Sequence, residues 1–180
     1  GVTEADNPTK ATVYDVRIIG LAHDNKSDGP GKAGITFQFV DCLNRQYRMN
    51  AANNKTGGWG AMELRARMNP GITPLASGFG SDDNAIWGQV PLALQGAIAP
   101  VRKGYSTINQ GAGNRLDSDD SLFLLSYYEL AGEKCNSGSS SYITNNAFVK
   151  QEGNRYAYWA SKNVLTGEKD LSVDLLKATS

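Results

Sequence analysis

The chain has 180 residues, with 18 lysines and arginines against 18 aspartates and glutamates, and so carries no formal net charge at neutral pH. That balance removes the electrostatic argument for a nucleic-acid binder, which normally needs a basic face. Apolar residues at 40% and charged residues at 20% exclude a disordered chain, 20 glycines against 6 prolines point to a loop-rich fold, and the length suits one domain or two small ones.

Residues 1–11 carry Pro8 and no periodicity, and read as a leader or linker ahead of a single domain over 12–180. The opening Gly1 to Asp6 is polar and lacks the charged start and apolar core of a secretion signal. Residues 12–22 (TVYDVRIIGLA) are rich in β-branched side chains and predict a strand with Tyr14, Val16 and Ile18 on one face. Turn formers fill 23–34, and 35–41 (ITFQFVD) alternates, with Ile35, Phe37 and Phe39 on one side and Thr36 and Gln38 on the other. The two strands are expected to pair across a loop too long for a tight hairpin. A short polar strand is expected at 46–49 and a loop at 50–58.

Residues 59–69 (WGAMELRARMN) predict a helix. Ala61, Leu64 and Met68 make a stripe that Trp59 and Met62 widen, and Gly58 stands at the N-cap. Glu63 lies early and Arg65 and Arg67 late, as the helix dipole prefers, before Asn69-Pro70-Gly71 ends it. Residues 71–84 are irregular. A second helix is expected over 91–99 (PLALQGAIA), started by Pro91 and stopped by Pro100. It has no charged face, so it needs cover from the core or a partner. The uncharged stretch 84–101 is too broken by Pro91, Pro100, Gly88 and Gly96 to span a membrane. A strand follows at 101–106, a polar loop at 108–121, and a central strand at 122–125 (LFLL). Ser126 and Glu129 have capping-box spacing, which starts a helical turn. Residues 135–141 form a loop and 148–162 a helix carrying Tyr156, Tyr158 and Trp159, aromatics better suited to the core than to stacking on a sugar. Leu171, Val173 and Leu175 alternate as a last strand. The elements sum to an α+β fold with two helices packed on a small antiparallel sheet.

Chemistry is sparsely signalled. The single histidine, His23, stands beside Asp24 in a turn-rich loop, with no GxSxG elbow or assembled triad, and reads as a residue bonding its own turn. Acidic groups at 24–28, 82–83 and 117–120 are the candidates for a calcium ion. In the first, Lys26 occupies a ligand position and Ile35 replaces the closing glutamate of an EF-hand. The loops 23–32 and 108–120 are the candidate surface for a glycan or protein ligand, with His23, Asp24, Asp28, Asp117, Asp119 and Asp120 as its polar residues. Cys42 and Cys135 permit one disulfide. Otherwise Cys42 reads as a small buried apolar residue, and neither spacing suits zinc or a redox dithiol. Residues 104–113 contain neither GxGxxG nor a Walker lysine.

The segments GGWGAMELR (57–65), KAGITF (32–37), YRMN (47–50), LQGAIAPV (94–101), LFLLS (122–126) and EGNRY (152–156) occur in one order. Together they resemble a bacterial domain family of unknown function, common in surface and prophage-encoded proteins of Gram-positive gut bacteria. The resemblance covers residues 12–163, and it makes Trp59, Glu63, Arg65, Ser126 and Glu129 structural motif residues. It implies an architecture related to the C-type-lectin-like and formylglycine-generating-enzyme-like folds. Family members continue into a WWLRSP-like segment and closing strands that do not precede Ser180 here, so the resemblance implies a fragment, a processed product or a subunit, and an assembly in which another chain completes the sheet by strand addition is expected. The implied function is a non-enzymatic extracellular module, a structural or adhesive subunit of a bacterial surface or virion assembly. Glycan or protein-ligand recognition comes second. A formylglycine-generating-like enzyme comes third, since Cys42 and Cys135 lack the context such chemistry requires. No cofactor is expected other than a calcium ion on the acidic loops.

Overall fold

A computed structural model describes residues 13–43, 46–50, 52–53, 56–72, 86–107, 115–132 and 150–162. In chain order these form β1 (Val16–Leu21), β2 (Ile35–Phe39), a 3₁₀ turn (Trp59–Ala61), α1 (Glu63–Met68), a second 3₁₀ turn (Trp87–Gln89), α2 (Leu92–Gln95), β3 (Val101–Ser106), β4 (Arg115–Asp120), α3 (Tyr127–Ala131) and α4 (Ala157–Ser161). The fold is α+β. Among the described residues the strands form two antiparallel pairs, β1–β2 and β3–β4, where one small sheet was expected, and the helical segments are four short helices. The leader at 1–11, Asp82 and Asp83, Cys135, and the strand expected at Leu171, Val173 and Leu175 lie outside the described residues.

β1 and β2 pair as the alternation predicts, with Val16 opposite Phe39, Ile18 opposite Phe37 and Leu21 opposite Ile35. The register slips between Ile18 and Gly20. This bulge turns both Ile19 and Gly20 inward and returns Leu21 to the face of Val16 and Ile18. The intervening loop closes through bonds from the Ala22 amide to the Gly34 carbonyl (2.9 Å) and from the Ala33 amide to the Asp24 carbonyl (2.9 Å). It is tied to the start of β3 where the Arg102 amide donates to the Asn25 carbonyl at 2.9 Å.

β3 and β4 pair without interruption from Val101 opposite Asp120 to Ser106 opposite Arg115. The sequence of β4, RLDSDD, has little strand propensity, which is why it reads as loop. The ladder and cross-strand ion pairing, as between Arg102 Nε and Asp119 Oδ1 at 3.1 Å, override that propensity. LFLL over 122–125 is no strand. It is an irregular connector, with Leu122 against one core and Phe123 and Leu125 against the other. Residues 46–49 are likewise irregular, the Met49 carbonyl accepting the Leu64 amide at 3.1 Å.

The helix expected over 59–69 is broken at Met62, whose extended backbone (φ −72°, ψ 136°) separates the 3₁₀ turn from α1. α1 still buries Leu64 and Met68 as its stripe demands, against Ile86, with Leu43, Tyr47, Trp59 and Leu122 around them. A second core gathers Ile19, Tyr156 and Trp159, flanked by Phe123, Leu125, Leu130 and Tyr158. α3 starts at the capping box the sequence shows: Ser126 Oγ accepts the Glu129 amide, and the Glu129 carboxylate accepts the Ser126 amide. α4 is shorter than expected, beginning only after Tyr156. α2 spans four residues, with Pro91 as its N-cap rather than its first residue, and none of its side chains is buried. No helix among the described residues is long and apolar enough to cross a membrane.

Candidate functional site

Five segments converge on the ammonium of Lys103, which β3 directs inward next to buried Val101. Its Nζ donates to Asp24 Oδ1 at 3.1 Å, to Glu129 Oε1, and to the Tyr156 hydroxyl at 3.2 Å. All three ammonium protons therefore have acceptors. The Tyr156 hydroxyl donates to Asp24 Oδ2 at 2.6 Å, and Thr36 Oγ1 of β2 reaches the same oxygen at 3.4 Å. Glu129 Oε2 accepts the Ser126 amide at 2.9 Å, so the capping box that starts α3 also orients this carboxyl. The side chains of Lys103, Asp24 and Glu129 are 6%, 8% and 1% exposed. The Phe123 ring lies beneath Nζ, 4.1 Å away at its centroid.

Close approach is built into the backbone. Gly153 adopts φ +110°, and a Cβ there would lie 2.6 Å from Glu129 Oε1. A Cβ on Gly20 would lie 2.8 Å from Cδ1 of Tyr156. Burial raises the Glu129 pKa to about 7 against the opposing pull of Lys103. Burial, then the charges of Glu129 and Asp24, pushes the Tyr156 phenol far up. His23 stacks on Tyr156 (centroids 3.9 Å, planes 23° apart), and its Nε2 lies 3.0 Å from the Asn154 carbonyl oxygen. Burial lowers its pKa. The assembly is a closed relay of amine, carboxyl and phenol groups, able to move protons among its own members and shielded from water.

A second buried carboxylate explains the tryptophan and arginine of the GGWxxxExR segment. Asp120 accepts Trp59 Nε1 at 2.8 Å, Arg65 Nε at 2.6 Å and Ser118 Oγ at 2.6 Å. The 3₁₀ turn and α1, broken at Met62, aim both side chains at one acid. Glu63 is buried at the start of α1, where its amide donates to Asn50 Oδ1 at 3.1 Å. Asn69 clamps the adjoining connector, its Oδ1 accepting the Ser121 amide at 2.6 Å and the Leu122 amide at 3.0 Å.

The structure thus brings His23, Asp24, Ser126 and Glu129 together and keeps the other acidic candidates apart. Asp28 is exposed on the loop. Asp117 pairs with Arg115 at 2.7 Å and Asp119 with Arg102 at 3.1 Å. Asp120 points the opposite way into the interior, because 117–120 is strand and alternation splits the acids. Among the described residues no group of three or more His, Cys, Asp or Glu is placed to hold a metal ion. Cys42 is exposed, not the buried residue expected, and has no disulfide among the described residues. Sequence reasoning missed Lys103 and the hydroxyl of Tyr156. The available signal was a lysine sharing strand parity with Val101.

The outer face of the β1–β2 pair is the other unusual feature. Val16, Ile18, Ile35 and Phe37 are 49%, 50%, 49% and 56% exposed, while Thr36 of the opposite face is buried. Tyr14 extends this apolar face by packing edge-on against Phe39, with ring centroids 5.7 Å apart.

Fold and site define a small α+β domain built around two buried charged clusters, with an apolar sheet face turned to solvent. No family model matches the chain, and no curated protein or solved structure matches it.

Proposed function

We propose that this domain is a non-enzymatic assembly module that self-associates through the outer face of the β1–β2 pair. The reading is carried by one observation: the hairpin turns its polar side inward and its apolar side, Val16, Ile18, Leu21, Ile35 and Phe37, outward. The exposed patch is on the order of 500 Å², at the upper end of what monomers leave uncovered. Two copies packed face to face would bury on the order of 1,000 Å², the lower bound of specific interfaces. The described strand positions lining the face, Val16, Ile18, Leu21, Ile35 and Phe37, are all uncharged, so identical copies meet there without like-charge repulsion. The resemblance to surface and prophage modules fits a structural or adhesive subunit of an extracellular or virion assembly, with a C-type-lectin-like architecture.

Sedimentation equilibrium tests this directly. The wild-type chain is expected to dimerise with rising concentration, and Ile18→Glu and Phe37→Lys to remain folded by circular dichroism but monomeric. A wild-type chain that stays monomeric up to its solubility limit refutes the proposal.

A further inference from the structure

We propose that Lys103 and Asp24 form an intramolecular amide cross-link in the mature domain, with Glu129 as the proton carrier. Three observations carry it. The Lys103 amine lies 3.1 Å from Asp24 Oδ1, one bond from the carboxyl carbon it would attack. Asp24 Oδ2 accepts hydrogen bonds from the Tyr156 hydroxyl at 2.6 Å and the Thr36 hydroxyl at 3.4 Å, donors that draw electron density from that carboxyl carbon. Glu129 touches the same amine from a second side and is held there by the Ser126 amide.

The reaction balances without a co-reactant. The ammonium passes one proton to the Asp24 carboxyl, giving the neutral amine and acid. The nitrogen lone pair attacks Cγ, and the Nζ–Cγ bond forms as the carbonyl electrons move onto oxygen. Glu129 takes a second proton from nitrogen and delivers it to the departing Asp24 hydroxyl. The Cγ–O bond breaks and one water leaves. The raised pKa of Glu129 suits it to carry that proton near neutrality. The product replaces a buried ion pair with a neutral amide, removing the desolvation cost that both charges bear in this setting. The held geometry supplies the proximity that makes an otherwise slow condensation accessible.

Mass spectrometry of the folded, full-length, thiol-reduced chain decides the matter. The intact mass is expected to be one water lighter than the sequence requires. Asp28-Gly29 can lose water by closing to a succinimide, so the deciding readout is a branched tryptic peptide joining residues 18–26 to 103–115. Lys103→Arg and Asp24→Ala should restore the full mass, and Glu129→Gln should leave most of the chain unlinked. A wild-type chain of full mass, or a branch from Lys103 to Glu129 instead of Asp24, overturns the proposal. Cross-linking in Glu129→Gln as complete as in wild type overturns the role given to Glu129.

Discussion

Asp120→Ala is expected to be among the most damaging single substitutions outside the aromatic core. Asp120 is fully buried, and its two oxygens satisfy Trp59 Nε1, Arg65 Nε and Ser118 Oγ at 2.6–2.8 Å. Truncation strands a guanidinium whose side chain is only 13% exposed. Removing one partner of a buried ion pair costs about 3–5 kcal/mol, since the other charge is left without compensation. Arg65 retains bonds to the Gly60 and Asp119 carbonyls, both at 3.2 Å, which places the expected loss near the lower end, about 3 kcal/mol. That is a large share of the roughly 5–15 kcal/mol by which domains are stable. Asp120→Asn keeps the shape but turns an amide toward one of three donors, and should cost about 1–2 kcal/mol. Urea titrations of wild type, Asp120→Ala, Arg65→Met and the double variant close a double-mutant cycle, in which the double variant should recover much of the single-variant loss. A loss below about 1 kcal/mol for Asp120→Ala, or strict additivity in the cycle, refutes this account of the cluster.

Gly153→Ala combines a left-handed backbone with a methyl 2.6 Å from Glu129 Oε1, and chemical denaturation should show a loss of about 3 kcal/mol. Ser126→Ala removes the capping hydroxyl and its 2.8 Å bond to the Glu152 carbonyl, and should lower stability by about 1–2 kcal/mol in the same assay. Glu129 binds its proton more tightly folded (about 7) than at its ordinary 4.5, so its contribution is complete below about pH 4.5 and lost as pH rises through 7. Between about pH 5 and about pH 8, the urea midpoint of the unlinked chain should therefore fall relative to Glu129→Gln by the equivalent of roughly 2–3 kcal/mol. His23 works in the opposite sense: its lowered pKa makes its contribution present above about pH 6.5 and lost below, and His23→Gln removes that contribution in the same titration.

Local chemistry made much of this fold legible. β-branched alternation located β1 and β2, because period-two patterning is written into neighbouring residues. The Ser126–Glu129 box located the start of α3, because four residues suffice to satisfy both end amides. Tyr156 and Trp159 were expected in the core and are buried there. What escaped depends on distant partners. β4 is strand because β3 lies beside it, and LFLL is connector because Leu122 packs on one core and Phe123 and Leu125 on the other, with Leu124 exposed. Asp24 and Glu129 were each visible as acids, one in a loop and one in a cap, but a lysine 79 residues from the first makes them a site.

The direction in which the β1–β2 pair faces follows from that same cluster. Alternation divides a strand into two sides without saying which side is covered. Hydrophobicity alone would bury Ile18 and Phe37, yet Thr36 and Ile19 occupy the inner side. The loop leaving β1 must deliver Asp24 to Lys103, and β2 returning from that loop must bring the Thr36 hydroxyl to Asp24. Tyr156 must pass within van der Waals reach of the backbone, which only a glycine at position 20, on the inward side of the bulge, allows. Rotating the hairpin to hide its apolar side would withdraw Thr36 and Gly20 together and leave a buried carboxylate short of donors. The interior charge cluster therefore dictates the apolar exterior. A variant that makes the cluster dispensable, with Lys103, Asp24 and Glu129 replaced by apolar residues of similar volume, should relax that constraint and weaken self-association even though every residue of the outer face is unchanged.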